Sequence, residues 1–120
     1  MTFAIDSFTL SVEDFDELSE PIGPNWFAWE NENIVVKRFT YNLKRVWEIR
    51  GVEKDVTWDN SLIKYLQGKM AAGETVTLTI NESPRYMLPS TTVYVTAIRF
   101  NIILRTPGNV RRYILTLKER

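Results

Sequence analysis

Glu13, Asp14, Asp16 and Glu17, broken only by Phe15, form the densest carboxylate cluster in this sequence. Hard cations such as Ca²⁺ and Mg²⁺ take several oxygen ligands, so a cluster of this kind can in principle hold one. It lacks the spaced ligands and the central glycine of an EF-hand loop, and no metal ligand is assigned here. Two carboxylates can also run a glycosidase without help from other side chains. Glu30, Glu32, Glu48, Glu53 and Asp55 are available for that, with tryptophans near in sequence for sugar stacking. No spacing among them selects a pair.

Other chemistries are excluded by composition. The chain has no histidine and no cysteine. Ser-His-Asp catalysis, thiolate nucleophiles, disulfides and cysteine zinc sites are therefore absent within one chain. The glycines stand far apart at positions 23, 51, 68, 73 and 108, which supports no phosphate-cradling loop. The expectation is a non-enzyme with no catalytic residue, no metal and no cofactor.

The charges point elsewhere. Residues 1–32 hold eight acids and no base, while the other 88 residues hold seven acids and all fifteen bases. Two segments of charge −8 and +8 sum to zero, a pattern suited to docking between complementary surfaces. The acidic part also carries Trp26, Phe27 and Trp29, and aromatic side chains are common interface anchors. The basic part ends in a predicted hairpin with Arg99, Arg105, Arg111, Arg112, Lys118 and Arg120. The candidate interface residues are thus Asp14, Asp16, Glu17, Trp26, Phe27, Trp29, Arg111 and Arg112. Internal docking, or simple solvation of an acidic loop, is the alternative. Tyr86 and Met87 could join the tryptophans in a carbohydrate- or small-ligand-binding surface. The basic hairpin could instead hold single-stranded nucleic acid. Its aromatics Tyr94, Phe100 and Tyr113 fall in phase with aliphatic residues, however, which marks them as core.

The elements that must position these residues follow from periodicity. A chain of 120 residues is the size of one domain and can bury a core without staples. Thr2 to Val12 reads as a strand bent near Asp6 and Ser7. Residues 13–33, with Pro21, Gly23 and Pro24, read as a long acidic, tryptophan-containing loop. Ile34–Tyr41 and Arg45–Gly51 are rich in β-branched and aromatic residues and read as strands. Trp58, Leu62, Tyr65, Leu66 and Met70 form one helical stripe, so a short helix is predicted near residues 58–72. Thr57, Asp59 or Asn60 would start it and Gly73 would end it. Glu74–Asn81 alternates, with Val76, Leu78 and Ile80 on one face. Residues 82–90 read as a loop. Thr92–Arg105 and Val110–Glu119 form a closing hairpin, with Tyr94, Ile98, Phe100, Ile102 and Leu104 in phase on the first strand. One helix cannot cover both faces of about six strands. The predicted fold is therefore mainly β (all-β or α+β): an antiparallel β-sandwich or partly closed barrel of about six strands in a single domain, 1–120.

Val93-Tyr94-Val95-Thr96-Ala97-Ile98-Arg99-Phe100, a turn, and Arg112-Tyr113-Ile114-Leu115-Thr116-Leu117-Lys118-Glu119 resemble a known closing hairpin. It is that of small β-rich tail and baseplate-associated proteins of tailed phages and archaeal viruses. Leu62–Gly73 leading into Val76–Ile80 extends the resemblance, which covers the C-terminal half of the chain. It implies a structural protein that assembles into rings or stacks with itself and other assembly proteins. It carries over no catalytic residue and no cofactor. The start of the chain lacks a basic residue before an apolar run, and no stretch approaches the ~20 apolar residues of a membrane helix. A virion component or cytoplasmic protein is expected, with no membrane partner.

Overall fold

The computed structural model describes the backbone of residues 2–22, 25–30, 33–38, 42–104 and 108–120, and among these the side chains outside 20–43. The strands are β1 (Thr2–Ile5), β2 (Phe8–Ile22), β3 (Asn25–Glu30), β4 (Asn33–Arg38), β5 (Asn42–Lys54), β6 (Thr75–Glu82), β7 (Tyr86–Ile102) and β8 (Val110–Glu119). A 3₁₀ turn at Trp58–Asn60 precedes the helix α1 (Leu62–Ala72). Six strands close into an antiparallel barrel in the order β1-β2-β5-β8-β7-β6, and β3 and β4 form a separate two-stranded sheet. Of the sandwich and barrel forms expected, the closed barrel is the one adopted. Closure removes the unpaired edges that an open sheet of this size would expose.

Three register shifts curve the strands, each adding residues on one strand against fewer on its neighbour. Glu13 is the extra residue of β2 between Val12 and Asp14. Pro89 and Ser90 of β7 face Thr79 alone, in the gap between the Leu78↔Thr91 and Ile80↔Leu88 pairs. Thr96 is the extra residue of β7 opposite Leu117 and Thr116. Pro89 is tolerated here because a bulge does not need its missing N–H.

These bulges correct two readings. Residues 13–22 belong to a strand, not a loop, and Asn25–Glu30 is a strand as well. The bulge at Glu13 flips the inward phase from Phe8, Leu10 and Val12 to Phe15 and Glu17, which hides the alternation in the sequence. Pro21 sits near the end of β2, where a missing donor costs little. In β7 the buried residues are Leu88, Val93 and Val95, while Tyr94 and Ile102, and Leu104 beyond the strand, are exposed. Thr96 resets the phase so that Ile98 and Phe100 turn toward the core.

The bend foreseen at Asp6-Ser7 is a full turn, with Ile5 and Phe8 paired across it. Asp6 takes a positive φ of 49°, which an aspartate tolerates better than most residues. Its backbone N–H donates to Thr77 O at 2.9 Å, and its Oδ1 accepts from the Thr77 N–H at 2.8 Å. The Tyr65 hydroxyl donates to Oδ2, so the turn ties β6 and α1 together.

The helix begins at Leu62, later than predicted, because Trp58–Asn60 forms the tighter turn. Ser61 is the cap: its Oγ accepts from the Lys64 N–H at 3.2 Å, and Glu53 Oε2 accepts from the Leu62 N–H at 2.8 Å. Two of the free N–H groups at the helix start are thereby satisfied. Gly73 closes the helix at a φ of 68°, as expected of a C-terminal glycine. Leu62, Ile63 and Leu66 are buried, and α1 lies against β7 and β6. Trp58 and Met70 stand at the margin of the stripe and remain partly exposed.

Candidate assembly surface

The chain's acids and bases meet first inside one molecule. Asp14 lies opposite Arg50 in the β2–β5 ladder, and Asp16 lies opposite Glu48. Alternation sends the side chains of Asp14, Asp16, Glu48 and Arg50 to the outer face. Arg50 Nη2 meets Asp16 Oδ2 at 2.9 Å, Arg50 Nη1 meets Glu48 Oε1 at 2.7 Å, and Arg50 Nε donates to Asp14. Hydrogen bonds to Asp14 and then Asp16 hold the Arg50 guanidinium pKa above its ordinary value. Two of the predicted interface acids are therefore already engaged by a residue that sequence reasoning did not single out.

Glu17 points the other way. Its Oε1 accepts from Trp47 Nε1 at 3.0 Å and from the Tyr86 hydroxyl at 2.5 Å. Burial, and then the Glu17 hydrogen bond, raise the Tyr86 pKa. Phe15 meets Phe3 and Tyr86 edge-on, with ring centroids 5.2 Å apart in each pair. These rings floor a groove of about 450 Å³ lined also by Glu13, Glu82 and Arg85.

Trp26, Phe27 and Trp29 all fall on β3, with Lys37, Val36 and Ile34 as their respective partners in β4. The β2–β5 ladder runs from Ser11↔Val52 out to Ile22↔Asn42, whereas β8 pairs with β5 only from Val46 onward. Among the described residues, the Ser19–Ile22 and Asn42–Arg45 ends of this ladder thus have no third strand beside them. The long loop of the sequence reading is replaced by paired strands, and the aromatic residues lie beyond the barrel's own pairing.

Arg111 and Arg112 separate. Arg111 is only 6% exposed and leaves the candidate surface. Its Nη1 donates to Glu53 Oε1 at 3.1 Å and to Val56 O at 2.9 Å, and its guanidinium lies 5.5 Å from the Trp58 ring centroid. Period-2 alternation along β8 puts Arg111 on the same side as Tyr113, Leu115 and Leu117, a signal that was available in the sequence. Arg112 is exposed. So is Arg99, and neither makes an ion pair with a described residue. The loss of Arg111 weakens the basic hairpin as a nucleic-acid face. Among the described residues no three acids converge as a metal-binding set, and no helix is long and apolar enough to cross a membrane.

Where β5 and β8 meet, Arg45 Nη2 pairs with Glu119 Oε2 at 2.8 Å, and the Arg45 N–H donates to Glu119 Oε1 at 3.1 Å. The side-chain hydrogen bond from Arg45 holds Glu119 below the ordinary glutamate pKa of 4.5. A depressed carboxylate contributes stability that is present above its unfolded pKa and lost as pH falls through its folded one. The pair is partly solvated, so the contribution is modest. Arg45→Met is expected to lower neutral stability modestly, by under about 1 kcal/mol, and to converge on wild type as pH falls below about 4.5, which flattens its acid limb. Urea melts of both proteins between pH 3 and 7 check this; equal acid slopes would contradict it.

The fold and surface define a closed six-stranded antiparallel barrel with one helix and an added two-stranded ribbon. No protein-family model matches the chain, and no curated protein matches it in sequence. Among solved structures it is similar to a chain described as "Virion of native gene transfer agent (GTA) particle". The likeness has a TM-score of 0.64 at 12% identity and covers 99% of this chain and 91% of that one. At that identity it is a likeness of fold. It reaches well beyond the C-terminal half on which the sequence resemblance rested.

Proposed function

We propose that this chain is a non-enzymatic structural component of a phage- or virus-like particle, in its tail or elsewhere in the virion. It forms homo-oligomers in which the acidic, aromatic segment 13–32 of one copy engages a basic surface of its neighbour. Other assembly proteins of the particle are further partners. One observation carries the reading: β2 and β5 stay paired to Ile22 and Asn42, past the last residue that β8 supports, and three aromatic residues follow on β3. A ribbon of this kind costs ordering entropy and contributes little to the barrel, which favours a role in contact with something else. Similarity of fold to a chain of a gene transfer agent virion supports the same class of protein.

Exposed charge pairs weaken as salt shortens the Debye length from about 30 Å at 0.01 M to about 3 Å at 1 M. Light scattering on a sizing column should therefore find a discrete multimer at low salt that loosens at high salt. A particle of 14.1 kDa in both conditions would exclude self-assembly and redirect attention to ligand-binding roles.

A further inference from the structure

One side of β2 is open. Its pairing with β1 ends at Phe3↔Leu10, while its pairing with β5 runs on to Ile22↔Asn42. Beyond Leu10, among the described residues, the side of β2 away from β5 therefore has no strand beside it. The groove of about 450 Å³ separates that side from Glu82, Arg85 and Tyr86 at the β6–β7 turn. Side chains cross the gap, through the Glu17–Tyr86 hydrogen bond and the Phe15–Tyr86 ring contact, and no backbone hydrogen bond between described residues does. An open edge is a template for another strand, and proteins block it with bulges, prolines or charges. Here the bulge at Glu13 and the missing N–H of Pro21 bracket the stretch Asp14–Glu20 without covering it.

The charges on this stretch select its partner. On the outer face Arg50 meets three carboxylates, those of Asp14, Asp16 and Glu48, so the cluster stays negative. Asp14 and Asp16 remain largely exposed, and so does Leu18 two residues further along. A second β2 would set acid against acid, which destabilises a strand pair. The complement is a basic strand with an open edge of its own, and β4 meets both needs. Its six residues, Asn33–Arg38, include Lys37 and Arg38 and no acid, and among the described residues it pairs with β3 alone. The basic end of β5, Asn42–Arg45, is shorter, and its Arg45 is engaged by Glu119. Every described strand pair of this chain is antiparallel. With β4 antiparallel to β2, one register sets Val35 opposite Leu18 and Lys37 opposite Asp16, apolar against apolar and base against acid. A two-stranded ribbon is marginal in water by itself, so joining a sheet edge also stabilises β3 and β4. We propose that the Asp14–Glu20 edge of one copy receives β4 of a second copy as an added strand. This rests on the homo-oligomer reading above and names the two edges it joins. The giving and receiving edges belong to different strands, so each copy can do both, and the contact repeats from copy to copy as a ring or stack requires.

The chain has no cysteine, so single introduced cysteines report position. Leu18→Cys chains lengthened by a tag are mixed with untagged Val35→Cys chains at low salt and oxidised, with far-UV circular dichroism as the folding check. Mixed disulfide pairs should exceed either self-pair severalfold, because only Cα atoms within about 7 Å of each other can be bridged. Light scattering on Lys37→Glu supplies the second readout. That change sets like charges in register and should raise the concentration at half-assembly about tenfold or more. Asp16→Lys/Lys37→Glu restores opposite charges and should bring assembly back toward wild type. Lys37→Gln removes the charge without reversing it, should give a smaller shift, and covers the case in which the glutamate variant misfolds. A wild-type multimer whose mixed pairs do not exceed its self-pairs, or whose assembly is unmoved by the Lys37 variants, would overturn this inference and leave self-assembly standing. A wild-type monomer at both salt concentrations would overturn self-assembly itself and this contact with it.

Discussion

Trp47→Ala is expected to cost about 3–5 kcal/mol of folding stability, near the top of the range for core truncations. Trp47 is fully buried, in one cluster with Ile49, Leu115 and Leu117. It lies in register with Glu17 on one side and Leu117 on the other, so it joins three strands of the barrel. Truncation removes a large apolar surface and leaves a cavity that a closed barrel relaxes around poorly. It also strips the donor that the indole Nε1 gives to Glu17 Oε1 at 3.0 Å. The glutamate keeps the Tyr86 hydroxyl, so the carboxylate is not left bare. Whole-domain stabilities run to about 5–15 kcal/mol, and the variant should therefore be close to its folding limit at room temperature. Urea melts give the number directly. Trp47→Phe helps separate the two contributions, because it keeps most of the packing while removing the donor to Glu17 and Tyr86. A loss under about 1 kcal/mol for the alanine variant would mean that the barrel interior is not packed as described.

Arg111→Met is the second large effect. The Arg111–Glu53 pair is buried on both sides, with side-chain exposures of 7% and 10% and a separation of 3.1 Å. Replacing a whole buried pair by apolar groups is often neutral, but removing one partner leaves an uncompensated charge and costs about 3–5 kcal/mol. Here Glu53 would keep only the Leu62 N–H. The carbonyl of Val56 and the face of Trp58 would lose their cation together. Arg111→Met/Glu53→Gln is expected to be less damaging than Arg111→Met alone. Glutamine is uncharged, and its amide oxygen can still accept from Leu62. Thermal melts of the two single variants and the double variant form the necessary cycle. If Arg111→Met falls within about 0.5 kcal/mol of wild type, the pair is not buried as described.

Such couplings explain what could be read from the residues alone. Gly73 ends α1 in the left-handed conformation, which glycine takes at no steric cost and which lets its N–H bond the last carbonyls. Val76, Leu78 and Ile80 face the core because β6 keeps its phase over their whole run. Tyr113, Leu115 and Leu117 do the same on β8. In each case the determining interactions lie within one element, and its period is written in consecutive residues. Fold class followed for the same reason.

The remainder depended on partners distant in the chain. Glu17 finds Trp47 and Tyr86 across 30 and 69 residues, and Arg50 finds Asp14 across 36. No local pattern records such a pairing, so the acidic run looked like a loop; Arg111 differs, because its alternation with Tyr113, Leu115 and Leu117 marks its inward side locally while its partner Glu53 is distant. Bulges at Glu13, Pro89-Ser90 and Thr96 are answers to barrel curvature, and they break the period that strand recognition relies on. Gly51 shows the same dependence from the other direction. A Cβ there would meet Ser11 O and the Tyr113 hydroxyl at 2.6 Å each, so the residue must be glycine only because β2 and a core tyrosine close around it. Local chemistry thus determined the helix and the inward faces of strands that keep one phase, while closure of the barrel decided the bulged strands and which charges are spent internally and which stay exposed.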